Sequence, residues 1–386
     1  MNRRLTIALV ASSIFLYMVS MFLYVPTLPT YVQSKTGSLV LVGVVLSMYG
    51  LWQAIIRLPL GIAADWAGWR KPFVLGGLAL AGLGAWLLGT ADGVNGLLVG
   101  RIITGLAGGT LVPLVVMFTS QFPSSKVVRA AAWVNFVAFG GRALGTSLTG
   151  WLNQIGGYSL AFNLAAGVAA IAILVTLVTH ESQRPPVPPS WERVGKLATR
   201  RDVLVPSLLA TVTHYALFAT TFGFLPILAR ELGASDVIQS ALVTMVLGLS
   251  MLSSLLVTAI IDNVGARRLV YLSIVVLGAG IGVAALASSV AVIFVAQFCI
   301  GLGVGISYPV FMGWSIQHVD DSQRTTAMGL FQSVYAVGMF AGPWISGLLA
   351  AAMGIRPMLG VTAFVCVALG LLLTWCVAGK QASSPA

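Results

Sequence analysis

The sequence predicts an all-α membrane protein whose twelve transmembrane helices form two pseudo-symmetric six-helix bundles. Three observations carry this prediction. Only 8% of the 386 residues are charged and 58% are apolar, with a mean hydropathy of +0.97, whereas an ordinary soluble domain carries about 25% charged residues. Those apolar residues gather into twelve runs long enough to cross a bilayer, for which about 20 residues are needed. The second half of the chain also repeats motifs of the first at a nearly constant offset.

The predicted spans are 5–30, 39–64, 72–91, 95–119, 130–152, 160–180, 204–229, 237–261, 268–288, 290–314, 325–352 and 357–378. Each stays apolar on every side for five or more turns, unlike the alternating ten-residue strands of a membrane barrel. The first run follows Arg3 and Arg4 but is too long for the apolar core of a signal peptide, so it is read as a retained helix. Between the sixth and seventh spans, the stretch Arg184-Pro-Pro-Val-Pro-Pro189 and neighbouring basic residues read as a semi-rigid linker. The expected division is therefore 1–180 for the N-terminal bundle, 181–203 for a cytoplasmic linker and 204–386 for the C-terminal bundle.

The net charge of +11 comes from 21 basic and 10 acidic residues. With the N-terminus placed in the cytoplasm, fifteen basic residues fall on the inner side, from Arg3 and Arg4 through Arg70, Lys71, Arg200, Arg201, Arg267 and Arg268 to Lys380. Only Lys35, Arg230 and Arg356 fall outside. This asymmetry orients a multi-pass protein of the cytoplasmic (inner) membrane with both termini inside, and makes nucleic acid unnecessary as an explanation of the charge. Cys299, Cys366 and Cys376 sit in apolar runs without Asp or His neighbours, so neither a disulfide framework nor a metal site is expected. No cofactor is called for.

After the second span stands Gly61-Ile-Ala-Ala-Asp65-Trp-Ala-Gly68-Trp-Arg70-Lys71, and after the eighth Thr258-Ala-Ile-Ile-Asp262-Asn-Val-Gly265-Ala-Arg267-Arg268, 197 residues later. Gly105 and Pro113 recur as Gly301 and Pro309, and Gly141, Gly145 and Gly150 recur as Gly338, Gly342 and Gly347. Through these motifs the sequence resembles the major facilitator superfamily over essentially its whole length. The Gly61–Lys71 loop is similar to the signature between that family's helices two and three. Arg101-Ile-Ile-Thr-Gly105 is similar to its helix-four signature, and Gly141 to Gly150 to its antiporter motif in helix five, although the Gly-Pro of that motif is Gly145-Thr146 here. The resemblance implies two bundles related by an axis along the membrane normal, with a central site exposed alternately to each side. It also implies that Gly61, Asp65, Gly68, Arg70 and Lys71 latch helix two to helix eleven in the outward-facing state. Asp262 and Arg267 would form a weaker latch in the second half, and Arg101 would act in coupling or gating.

All ten acids map to loops or helix ends, so the chain lacks the embedded carboxylate that many proton-coupled drug exporters of the family use. Three arginines do lie within spans. Arg142, about 18 Å deep at 1.5 Å per residue, reads either as an anchor for a carboxylate, sulfonate or phosphate, or as a side chain bound to backbone carbonyls near Gly140 and Gly141. Arg57 shares one helix face with Gly61 and Asp65, which favours a place in the latch over substrate contact. His214, alone among the histidines in a span interior, is a candidate proton carrier or a packed core residue. Tyr17, Tyr24, Gln53, Asn135, Tyr215, Tyr308, Trp314, Gln332 and Tyr335 are further candidates for the cavity lining, alongside Arg142 and His214.

Arginine among tyrosines, amides and apolar walls suits a small amphipathic organic anion better than a sugar. The expected function is secondary transport by a monomer in the lipid bilayer, moving such a compound outward in exchange for protons. Uptake of an organic or inorganic anion is the alternative, and a non-transporting sensor or scaffold on the same fold is the alternative from another class. An intramembrane enzyme would need a nucleophile–base pair, an Asp pair or a metal-ligand set within the spans, and a nucleotide-driven pump would need a phosphate-binding glycine loop. The sequence offers none of these.

Overall fold

The computed structural model describes residues 3–123, 127–181, 191–320 and 323–381. The Pro-rich segment 184–189 lies outside the described residues. Helix α1 spans Arg3–Thr36, interrupted by a 3-10 turn at Val25–Thr27. It is followed by α2 (Leu39–Ala67), α3 (Lys71–Thr90) and α4 (Val94–Thr119, with a 3-10 turn at Gly108–Thr110). The continuous helical run Val127–Val178 breaks at Gly156 and Gly157, where φ at Gly157 is +67°, a left-handed conformation that suits glycine. Its two arms are α5 (127–155) and α6 (158–178).

The arms fold back on each other along α1. Gly141 and Gly145 of α5 pack on Phe15 and Val19, Ser20 Oγ donates to Ala165 O of α6, and Thr176 Oγ1 donates to Ser13 Oγ. The second bundle comprises α7 (Arg201–Glu231), α8 (Asp236–Val264), α9 (Ala266–Ala285), α10 (Val290–Ile316), α11 (Arg324–Met353) and α12 (Ile355–Gln381). A short helix, Trp191–Thr199, precedes it. No strand occurs among the described residues. The observed architecture is the predicted all-α one, with the fifth and sixth spans separated by backbone geometry at the Gly156-Gly157 pair.

Repeat symmetry extends to the irregularities. The 3-10 turn of α1 holds Pro26, and α7 carries a π-helical segment at Thr220–Phe224 just before Pro226. A proline removes a backbone donor and bends its helix, so both bundles begin with a helix broken at equivalent depth.

The bundles meet mainly in the half of the membrane away from the chain termini, called here the distal half. On the α2–α11 seam, β-carbons added at Gly43 and Gly50 would overlap backbone atoms of Gly347 and of Met339 and Phe340, so these glycines are what lets the backbones touch. On the α5–α8 seam, Gly150 faces the backbone of Asp236 and Val237 in the same way. Polar contacts close the distal end. Asn153 Nδ2 donates to Thr27 Oγ1 and to Asp236 Oδ2, both at 2.9 Å, and Thr146 and Thr244 share a hydroxyl contact at 2.8 Å. Arg230 donates to the Tyr158 hydroxyl and to Asp236 Oδ1.

Toward the termini the α5 face that carries Asn153, Thr146 and Arg142 leaves the interface, and Asn135 two turns further on is exposed. The polar and glycine contacts between the bundles thus concentrate toward the distal end.

At the loop between α2 and α3, Glu181 Oε2 accepts the backbone N–H groups of Arg70 and Lys71, at 3.0 and 2.7 Å. These are donors at the start of α3 that the helix itself cannot pair. Arg70 Nη1 lies 4.0 Å from Glu181 Oε1, and Lys71 Nζ donates to Leu177 O and Thr179 O beyond α6. The loop is thus clasped to the end of its own bundle's sixth helix, by an acid the sequence analysis did not single out.

Replacing Glu181 with Ala leaves two helix-start N–H groups unpaired in a half-buried setting, at a cost of about 1–3 kcal/mol. Thermal unfolding in detergent should show a Tm several degrees lower, with Glu181→Gln intermediate. Gly50→Val is expected to force the α2–α11 seam apart and raise alkylation of a cysteine placed at Thr30 several-fold; unchanged labelling would contradict the seam described here.

Candidate functional site

At the centre of the molecule the two bundles contribute facing groups. From α2 comes the face Tyr49, Gln53 and Arg57, spaced at i, i+4 and i+8 so that all three project in one direction. Tyr17 of α1 and Arg142 of α5 flank it. Opposite stand His214 of α7, Tyr308 of α10 and Tyr335 of α11. At about 1.5 Å per residue, Arg57 lies about 15 Å from the terminal end of α2, and Arg142 and His214 about 20 Å along α5 and α7, near mid-membrane.

Arg57 is 7% exposed, and its Nη1 donates to the Tyr335 hydroxyl at 2.7 Å, with its guanidinium carbon 5.2 Å from that ring. This contact crosses from one bundle to the other. The His214 ring stacks on Tyr335, with centroids 4.1 Å apart and 17° between planes, and meets Tyr308 edge-on at 6.0 Å. His214 Nδ1 sits 2.8 Å from Ala210 O. A carbonyl only accepts, so in the neutral ring Nδ1 carries the hydrogen and Nε2 the lone pair.

Arg142 is half-buried. Its Nε lies 3.4 Å from Met18 Sδ and its guanidinium carbon 5.3 Å from the Phe22 ring. Arg101 is buried over the Tyr49 ring at 4.5 Å and reaches Leu46 O at 3.5 Å, all within the N-terminal bundle. None of the three arginines has a carboxylate partner among the described residues. Each is held by weaker partners: a phenol, a thioether, backbone carbonyl oxygen and aromatic faces.

The remaining predicted residues divide. Gln53 is buried with both amide atoms unpaired, beside Gly108 of α4. Tyr17 is buried and donates to Ala107 O at 2.8 Å, so it braces the break in α4. Tyr24 is buried against Phe162, with centroids 4.9 Å apart, which makes it packing inside the N-terminal bundle and not a cavity wall as expected. Asn135 is exposed, because the helix face it occupies has left the bundle interface at that depth. Tyr215, Gln332 and Trp314 are half-buried, and Trp314 packs against the main apolar core.

Of the predicted latch, Gly61 and Gly68 flank the end of α2, and Gly68 takes a φ of +64° in the turn. Asp65 lies in the last turns of α2, its side chain outside the described set. Arg70 and Lys71 serve the clasp to Glu181. Asp262 is exposed and makes no ion pair with Arg267, whose guanidinium instead approaches Tyr271. Neither residue is drawn into an ion pair among the described residues.

Two members of the central cluster escaped the sequence analysis. Tyr49 carries Arg101 on its ring and stacks toward Phe218 of the other bundle at 6.4 Å. Phe22 carries Arg142 and meets Phe222 across the same interface at 6.5 Å. The signal for Tyr49 was its place one turn before Gln53. Phe22 had none, since an apolar residue in an apolar helix marks no direction.

Comparison with known proteins agrees with this architecture. The sequence model described as Major Facilitator Superfamily matches the chain twice, over residues 10–210 and 207–385, one match for each bundle. The inner membrane transport protein YajR of Escherichia coli (strain K12) is 29% identical over 174 residues, covering 43% of this chain and 37% of YajR. The multidrug resistance protein MdtG of Serratia proteamaculans is 25% identical over 371 residues, covering 92% of this chain and 89% of MdtG. Among solved structures, the POT family transporter PepTSo superposes with a TM-score of 0.84 at 13% identity, over 100% of this chain and 99% of that one. With the repeated motifs, the paired six-helix bundles and a family match to each half, the chain belongs to the major facilitator superfamily of membrane transporters.

Proposed function

We propose that the protein exports a small amphipathic compound bearing an anionic group, in exchange for protons, by alternating access across the inner membrane. The observation that carries this reading is the set of mid-membrane arginines without carboxylate partners among the described residues. A cation inside the bilayer is costly unless paired, and Arg57 and Arg142 stand at the bundle interface with only neutral partners. An anion reaching them exchanges those contacts for charge-assisted hydrogen bonds, roughly twice as strong as neutral ones. The aromatic rings around them suit the apolar part of an amphipathic molecule.

Exchange with protons is assigned to His214. With Nδ1 committed to Ala210 O, the lone pair on Nε2 is the group that changes from acceptor to donor on protonation. Its stacking on Tyr335 places that change one ring away from Arg57 and the cross-bundle contact. Export is favoured by the near full-length similarity to the multidrug resistance protein MdtG. With both termini cytoplasmic, as the basic loops favour, the side away from the distal contact cluster faces the cytoplasm, the side from which an exporter loads. The protein works as a monomer in this reading.

Reconstitution into liposomes with an imposed pH gradient tests the proposal. Anionic amphiphiles are expected to move faster down a gradient of opposing proton flow, and Arg142→Ala to slow them at least about ten-fold, the loss of one charge-assisted contact. His214→Gln is expected to abolish acceleration by the gradient while leaving passive exchange. Selective transport of cations with Arg142→Ala fully active would refute the anionic substrate. Transport indifferent to the gradient in both the wild type and His214→Gln would refute proton exchange.

A further inference from the structure

We propose that Arg57 and Gln53 form the head-group subsite for a planar oxyanion attached to an aromatic ring, an aryl carboxylate in the simplest case. In the absence of that ligand, the Tyr335 hydroxyl holds its place. This rests on the reading that the transported compound is anionic, and goes further by naming the group that binds it, its competitor and the shape of the ligand.

The guanidinium of Arg57 has five N–H donors. One is taken by the Tyr335 hydroxyl, a neutral acceptor, while Nε is buried with no partner at all. A carboxylate accepts from Nε and an Nη together in the two-pronged geometry that arginine favours. The present arrangement is therefore an under-filled anion site, and a neutral phenol is the weaker occupant.

Gln53 is the independent second observation. It lies one turn from Arg57 on the same face, is 1% exposed, and has neither its carboxamide oxygen nor its nitrogen hydrogen-bonded. Leaving such a group unpaired costs about 1–3 kcal/mol, and two unpaired polar groups one turn apart point to a shared ligand. The close approach of α4 to Gln53 depends on Gly108, where an added β-carbon would lie 2.6 Å from Gln53 Nε2.

The opposite wall explains the aromatic part. Tyr335 has His214 stacked on it, Tyr308 edge-on at 6.2 Å and Phe331 edge-on at 5.5 Å. Offset-stacked and edge-on contacts of this kind suit a planar ring. Arg57 belongs to one bundle and Tyr335 to the other, so a ligand that takes Arg57 from Tyr335 releases a mid-membrane tie between them. Its binding energy thereby acts on the equilibrium between states, which is what couples binding to movement.

The test is equilibrium binding of three isosteric probes, 2-naphthoate, 2-naphthamide and 2-naphthylmethylammonium, to the full-length protein in detergent. Naphthoate is expected to bind at least about ten-fold more tightly than naphthamide, with no binding of the ammonium compound, as a charge-assisted pair requires. Arg57→Gln should lose that preference. Tyr335→Phe, which keeps the ring and removes the competing hydroxyl, should tighten naphthoate binding several-fold, a gain that a merely structural Tyr335 would not give. Should Arg57→Gln fail to fold, Tyr335→Phe decides alone: a gain supports the subsite, and no change or a loss overturns it. Naphthoate binding that survives Arg57→Gln but is lost in Arg142→Ala overturns the subsite and leaves anion transport standing. No binding of naphthoate to the wild type overturns the subsite, and binding of the ammonium probe alone overturns both readings.

Discussion

A cation within a bilayer has no water to turn to, and the rest of this structure is arranged around three arginines that must be satisfied by the protein itself. In many proteins such a charge is answered by a carboxylate. Here Arg57, Arg101 and Arg142 are answered by the Tyr335 hydroxyl, the Leu46 carbonyl, the Met18 sulfur and the rings of Tyr335, Tyr49 and Phe22. These partners are sufficient to hold a guanidinium and too weak to neutralise it. The centre of the molecule keeps positive charge that a fixed ion pair would have cancelled.

The arginines differ in what they join. Arg101 binds α2 and α4 inside one bundle and so serves the bundle as a rigid body. Arg57 binds across the interface, midway along a seam whose distal part is glycine-on-backbone contact through Gly43, Gly50 and Gly347. Small-residue seams of this sort have close packing but few side chains to interlock, so they part as surfaces without unfolding either helix. The polar cluster of Asn153, Asp236 and Arg230 closes the distal end of the other seam. Rocking of two rigid bundles then requires the exchange of a handful of named contacts, while the clasp of Glu181 on the α2–α3 loop preserves the integrity of the bundle that moves.

Much of this was legible in advance, for reasons that can be traced to particular residues. The apolar runs were visible because the bilayer sets a minimum length, and the 197-residue echo of Asp65 in Asp262 exposed the two-fold plan. Arg142 and His214 were visible as candidates because polar side chains in apolar helices stand out. Glu181 was not, because it follows α6 at a position where an acid is ordinary and only its proximity to the Arg70 and Lys71 amides gives it a task. Tyr24 was misplaced because a tyrosine on a helix hydrophobic all round carries no mark of its direction, and it turned inward onto Phe162.

The sequence by itself therefore determined the class of fold, the number of spans, the repeat and the identity of the in-span cations, all of which follow from local composition and spacing. Only the tertiary structure decided which partner each cation meets. It moved Arg57 from the Gly61–Asp65 latch to a cross-bundle bond with Tyr335, 278 positions away in the chain. The physical reason is that helix periodicity fixes which residues share a face, whereas the rotation of each helix against its neighbours is set by the summed packing of small and large side chains along the whole seam.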